Sequence, residues 1–182
     1  MRNEICTFDL RSLVLCASLA AGAAMAGDAT PLAQYRDVQT ETYRNDEPDF
    51  SLSYPYRYRG VAAPGPGQVF TASDATRVPS IGVTLVPRPE GLTLQASVRE
   101  AAKRLSPTAE VTEERDVDLD GTPARRAMVA WSMPIGFGLE LRTLLVSAYR
   151  DGHWIVVSAT DGVTAGPLLP ELEASATSLR FQ

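Results

Sequence analysis

Two Asp-Gly dipeptides set the strongest limits on what this chain can fold into. Asp120-Gly121 joins "AEVTEERDVDL" to "ARRAMVAWSM", and Asp151-Gly152 joins "LELRTLLVSAY" to "HWIVVSAT". Each supplies two residues that tolerate positive φ between runs suited to strands, the pattern of a tight antiparallel hairpin. The second hairpin is apolar on both parities, with Leu141, Leu145, Ile155 and Val157 on one set and Leu144, Val146, Trp154 and Val156 on the other. Strands without a polar parity have no face to give to water, so both sides of their sheet must be covered.

The covers are legible elsewhere. In "LTLQASVREAAKRLSP" the residues Leu94, Val98, Ala101, Ala102 and Leu105 recur at helical spacing, Thr93 can cap the start, and Ser106-Pro107 stops it. Glu100 and Arg104 form an i,i+4 pair on the opposite face. A second helix is expected in "PLLPELEASATSLR", with Leu169, Leu172, Ala176 and Leu179 as its stripe and the prolines in its first turn. Two short strands, "QVFTAS" and "SIGVTLVP", precede the first helix. The expected fold is α+β, an α/β/α sandwich in which a mainly antiparallel sheet carries a helix on each face.

The segment "DFSLSYPYRYRG" alternates from Phe50 onward. Phe50, Leu52, Tyr54, Tyr56 and Tyr58 share one parity and form the expected inward row of a strand, while Ser51, Ser53, Pro55, Arg57 and Arg59 share the other. Pro55 confines that stretch to a sheet edge or to the strand's exit. Partial exposure is expected near Tyr58, because a tyrosine hydroxyl can reach water from such a row.

Residues 1 to 26 read as a secretory signal peptide: Arg2 and Arg11 near the start, the apolar run "SLVLCASLAAGAAM", and small residues at Ala24 and Ala26 for cleavage. That run is shorter than the ~20 residues a membrane span needs, and Leu15 stands where a lipid-anchored Cys16 would require a small residue. Residues 27 to 48 are polar and read as a flexible lead-in, and 49 to 182 as one domain. Cys6 and Cys16 both fall in the leader, so the processed chain is expected to hold no thiol for a disulfide, a nucleophile or a metal. A periplasmic or secreted monomer is expected. Its net charge of −5 makes nucleic acid a poor partner.

Candidate chemistry is sparse. Asp116, Asp118 and Asp120 before Gly121 match the first half of a calcium loop, but Ala127 stands where the closing Glu would be and Pro123 interrupts it. The competing reading is an exposed strand face, continued by Glu114, that runs into a hairpin turn. His153 is the only histidine; a serine triad would need it as base with Asp151 or Asp161 behind it, and no G-x-S-x-G context exists. Glu113-Glu114 and Glu171-Glu173 read as solvated faces, not as a glycosidase pair. No catalytic residue and no cofactor are expected. Tyr56, Arg57, Tyr58 and Arg59 form a candidate partner-binding rim, since Tyr and Arg are enriched at interface hot spots, and Arg125, with its neighbour Arg126, and Phe137 are the candidates to join it. Against it stands an ordinary strand edge.

The order of elements and several short motifs resemble the PsbP-like superfamily in its bacterial DcrB-like form. The motifs are "DFSLSYP" at 49 to 55, "TLQASVREAAKRL" at 93 to 105, "VDLDGTPARRAMVAW" at 117 to 131 and "LLPELEASATSLRF" at 168 to 181. Relatives often carry a Trp soon after "SYP"; this chain has none, and Tyr56 or Tyr58 is the candidate for that place. The superfamily shares no catalytic residues. The resemblance implies a non-enzymatic exported module that binds an envelope or secreted protein, with a small-ligand or calcium-binding periplasmic protein as the alternative.

Overall fold

The computed structural model describes residues 39–60, 67–76, 78–133, 138–162 and 168–182. The expected leader, most of the lead-in and Phe137 lie outside the described residues. In chain order the elements are β1 (Thr40–Asp46), β2 (Asp49–Pro55), β3 (Arg59–Gly60), β4 (Gln68–Ser73), β5 (Ser80–Pro87), α1 (Leu94–Leu105), β6 (Glu110–Leu119), β7 (Thr122–Met133), β8 (Leu139–Arg150), β9 (His153–Gly162), α2 (Pro170–Ala176) and β10 (Arg180–Phe181).

Both Asp-Gly turns form as their residues dictate. Asp120 and Gly121 have φ of 57° and 80°, Asp151 and Gly152 of 47° and 73°. Two successive left-handed residues match the right-handed twist of the flanking strands, and the short side chain of Asp makes the first of them tolerable. The hairpins assemble a seven-stranded antiparallel sheet in the order β3-β4-β5-β9-β8-β7-β6.

In the centre of this sheet the period-2 alternation divides the core cleanly. Leu144, Val146, Ala148, Ile155, Val157 and Ala159 bury on one side. Leu145, Trp154 and Val156 bury on the other, against Ala101 and Ala102 of α1. Helix α1 begins where Thr93 Oγ1 accepts the Ala96 N–H at 3.2 Å, and ends at Ser106. Helix α2 packs Leu172 and Ala176 on the first side, together with Phe50, Leu52 and Tyr58. The two helices therefore lie on opposite faces of the large sheet, each fully buried large side chain contributing about 1.5–3 kcal/mol of hydrophobic stabilisation.

The strand read from Phe50 onward does not join the large sheet. β2 pairs with β1 and β10 in a separate three-stranded antiparallel sheet, which packs beside α2 over β4 and β5. Tyr43 of β1 stacks on Phe70 of β4 with centroids 4.5 Å apart, and Tyr54 of β2 meets the same ring at 5.0 Å. β1 lies inside the stretch read as a lead-in. Its only large apolar residue is Tyr43, and as an edge strand it is half-exposed along its whole length, so its composition resembles that of a loop.

Candidate functional site

The Tyr/Arg segment is a corner and not a continuous strand. β2 ends at Pro55, after which the Tyr56 N–H donates to the Gln39 carbonyl at 2.8 Å and the Tyr58 N–H to the Pro55 carbonyl at 2.9 Å. The turn breaks the alternation, so Tyr56 is 47% exposed and Tyr58 is fully buried. Both positions depart from the expectation: Tyr56 leaves the inward row, and Tyr58, expected to be partly exposed, is as fully buried as Phe50. Of the two tyrosines offered for the aromatic place after "SYP", Tyr58 is the one in the core.

Helix α2 holds this corner. Arg57 forms an ion pair with Glu171, and the Tyr58 hydroxyl donates to the same carboxylate at 3.4 Å. Burial pushes the Tyr58 hydroxyl up to about 12, with the neighbouring Arg57 guanidinium pulling the other way. The Arg57 guanidinium sits 5.5 Å from the Tyr58 ring centroid, and that of Arg59 sits 5.0 Å from the Tyr56 ring. Beside them opens a groove of about 650 Å³, lined by Arg57, Arg59, Thr71, Ser73 and Asp74. An exposed aromatic under a guanidinium that itself lines a groove with further hydroxyls can stack on a partner side chain and donate to its carbonyls or carboxylates.

Arg125 does not reach this corner. On β7 the even positions face α2 and the odd ones face α1, so Arg126 turns to Glu173 of α2 at 2.7 Å and Arg125 points to the other face. There Arg125 binds Glu114 at 2.7 Å and Asp116 at 2.7 Å, while Arg99 of α1 takes the other Glu114 oxygen at 2.7 Å. Glu114 is thus a clamp between α1 and the β6–β7 hairpin and not a solvated face; its side chain is 12% exposed. Glu171 and Glu173 are likewise committed to Arg57 and Arg126.

Hydrogen bonds from Arg99 and Arg125 hold the Glu114 carboxyl below the usual carboxylate range, outweighing its burial. A depressed folded value adds stability that is present above the unfolded value of about 4.3 and lost as pH falls through the folded one. Arg99 is largely exposed and its share is screened by solvent, so most of the effect belongs to Arg125. Glu114→Gln is expected to lose about 1–2 kcal/mol at pH 7. The gap to the parent protein should narrow as pH falls below about 4, as read by urea denaturation at pH 7 and at a series of acid pH values.

The three carboxylates of the calcium half-loop are not brought together. Asp116 and Asp118 lie two residues apart along one face of β6, with Arg125 against Asp116. Asp118 Oδ1 accepts the Gly121 N–H at 2.6 Å, which fastens the hairpin, and Asp120 is the first left-handed residue of the turn. Among the described residues no group of three His, Cys, Asp or Glu is placed to hold a metal. His153 opens β9 with Nδ1 2.9 Å from the Asp151 carbonyl, a contact within its own turn.

Sequence reasoning read Glu171 as part of a solvated face and did not separate Arg126 from Arg125, yet Glu171 and Arg126 are the two side chains that orient the corner and α2. An acidic pair on a short helix carries no local sign of a partner more than a hundred residues away. "ARRA" is flanked by alanines on both parities, so it does not tell which arginine turns inward.

Neither a protein-family model nor a curated protein sequence matches the chain. Solved structures do. The solution structure of cyanobacterial PsbP (CyanoP) from Synechocystis superposes with a TM-score of 0.60 at 17% identity, over 80% of this chain and 94% of that one. A crystal structure of a protein from Bacteroides thetaiotaomicron superposes with a TM-score of 0.50 at 12% identity, over 79% of this chain, which spans 49% of that protein. The chain therefore has a PsbP-like fold. Among the described residues no helix is long and apolar enough to cross a membrane.

Proposed function

We propose that this chain is an exported, non-enzymatic PsbP-like module that binds a protein partner of the envelope or of a secreted complex through the Tyr56–Arg59 corner. The observation that carries this reading is Tyr56, 47% exposed on a turn that the buried Tyr58 holds in place, with Arg59 stacked over it at the lip of an open groove. A large exposed aromatic on a well-supported backbone loses little conformational entropy when a partner covers it. The sequence of residues 1 to 26 supports export, and the lone His153, engaged within its own turn, supports a role without catalysis.

The corner also decides how to test the reading. Tyr58 is unsuitable as an interface probe, because replacing it would damage the core. Tyr56→Ala combined with Arg59→Ala removes the exposed pair while leaving Tyr58 and its Glu171 contact. With the full chain expressed in its host and the envelope fraction separated, the parent protein should retain a defined partner. The double variant should lose it by about ten-fold or more with its melting temperature unchanged. Equal recovery of the partner by both proteins would contradict the reading, as would a chain that stays in the cytoplasmic fraction with residues 1 to 26 attached.

A further inference from the structure

Helix α1 covers only part of its face of the large sheet. It packs on β7 and β8, with a lesser contact on β6, whereas β5 and the far side of β9 continue past it. Where the helix stops, a cleft of about 260 Å³ remains between α1 and these strands. Its floor is apolar, formed by Leu145, Trp154 and Val156, all of them buried. Its rim is polar and divided: Gln68 and Ser158 stand on the sheet side and Arg104 on the helix side.

Arg104 is the informative member. Its guanidinium lies 4.6 Å from the Trp154 ring centroid, above the buried indole, and its Nε is 3.6 Å from Glu100. Its two terminal nitrogens are the fork that grips a carboxylate with two parallel bonds. A cation held over an aromatic floor, with an amide and a hydroxyl opposite, is complementary to a molecule with one anionic end and an apolar body. The volume lies just below the range of drug-sized sites, which suits about ten non-hydrogen atoms.

We propose that this cleft is a binding site for a small monocarboxylate with an apolar body, its carboxylate on Arg104 and its body on Leu145, Trp154 and Val156. The site lies on the α1 side of the sheet, while Glu171 of α2 braces the Tyr56–Arg59 corner from the opposite side, so occupancy does not depend on the partner surface.

Octanoate and phenylacetate serve as probes, with octanol and 2-phenylethanol as their uncharged counterparts. The indole N–H resonances of the folded protein are followed in solution, and Trp131→Phe assigns which of the two belongs to Trp154. At least one acid should move the Trp154 signal and raise the melting temperature, because a ligand that binds only the folded state stabilises it. The matching alcohol should bind about ten-fold more weakly, equivalent to ~1.4 kcal/mol. Arg104→Gln, at an exposed position, should erase that preference. Ser158→Leu, which fills the rim, should weaken acid and alcohol together. Tyr56→Ala with Arg59→Ala should leave acid binding unchanged even if partner binding is lost. An alcohol that binds as well as its acid would overturn the proposal, as would an Arg104→Gln protein that still prefers the acid. No response of the Trp154 signal or of the melting temperature to millimolar acid would also overturn it.

Discussion

Tyr58→Ala is expected to cost about 3–5 kcal/mol of stability, the range for truncating a fully buried aromatic. The ring lies at zero exposure in the cluster that joins the small sheet, α2 and the large sheet, so its loss opens a cavity where three layers meet. A domain of ordinary stability has about 5–15 kcal/mol in total, so the variant would lie close to unfolding. Tyr58→Phe separates packing from polarity: it keeps the ring and gives up one long hydrogen bond to Glu171 at 3.4 Å, and should cost about 1 kcal/mol or less. Urea denaturation of the two variants checks the pair. An alanine variant within about 1 kcal/mol of the parent would mean that the side chain does not occupy the core.

Trp154→Ala should be as damaging on the opposite face, by about 3–5 kcal/mol, for two reasons that add. The first is volume, since the indole is the largest fully buried side chain among the described residues and packs against α1. The second is a buried polar chain. The indole N–H donates to Ser147 Oγ at 2.8 Å, that hydroxyl donates to Ser97 Oγ at 2.6 Å, and Ser97 donates to the Leu94 carbonyl at 2.7 Å. Removing the indole strips the first donor from a relay that ties β9 through β8 to α1, in surroundings where water cannot replace it. Trp154→Phe keeps much of the volume and loses only the donor, so about 1–2 kcal/mol is expected. Hydrogen exchange gives a sharper reading than stability alone: amides at 98 to 102 in α1 should lose protection in the alanine variant before those of α2 do. Loss of protection confined to α2 would contradict the layer assignment.

The hairpins, the two-sided central strands and the first helix were legible in the sequence because each rests on local rules. Asp-Gly between two strand-like runs fixes a turn, as at Asp120-Gly121 and Asp151-Gly152, alternation fixes a face, and Thr93 with Ser106 marks the ends of α1. "QVFTAS" and "SIGVTLVP" correspond residue for residue to β4 and β5. α2 is shorter than its stripe suggested: Pro170 opens it, and after Ala176 Thr177 and Ser178 bond back to the last turn, so Leu179 is buried beyond the helix. The small sheet was not legible. β1 offers one large apolar residue, β10 has two residues, and their pairing with β2 joins the two ends of the domain. The corner was legible in composition but not in geometry. Pro55 signalled that the strand would exit, yet which tyrosine turned inward depended on the turn that followed and on Glu171, far along the chain.

The central claim is that contact with a partner occurs at the exposed aromatic of that corner. It is tested most directly by a photo-cross-linking residue placed at position 56 in the full chain, expressed in its host, with the same residue at position 110 on the outer strand β6 as the control. The account predicts one discrete adduct from position 56, in the fraction outside the inner membrane, reduced when Arg59 becomes Ala and absent from position 110. Equal adducts from both positions, or an adduct from position 110 alone, would contradict it.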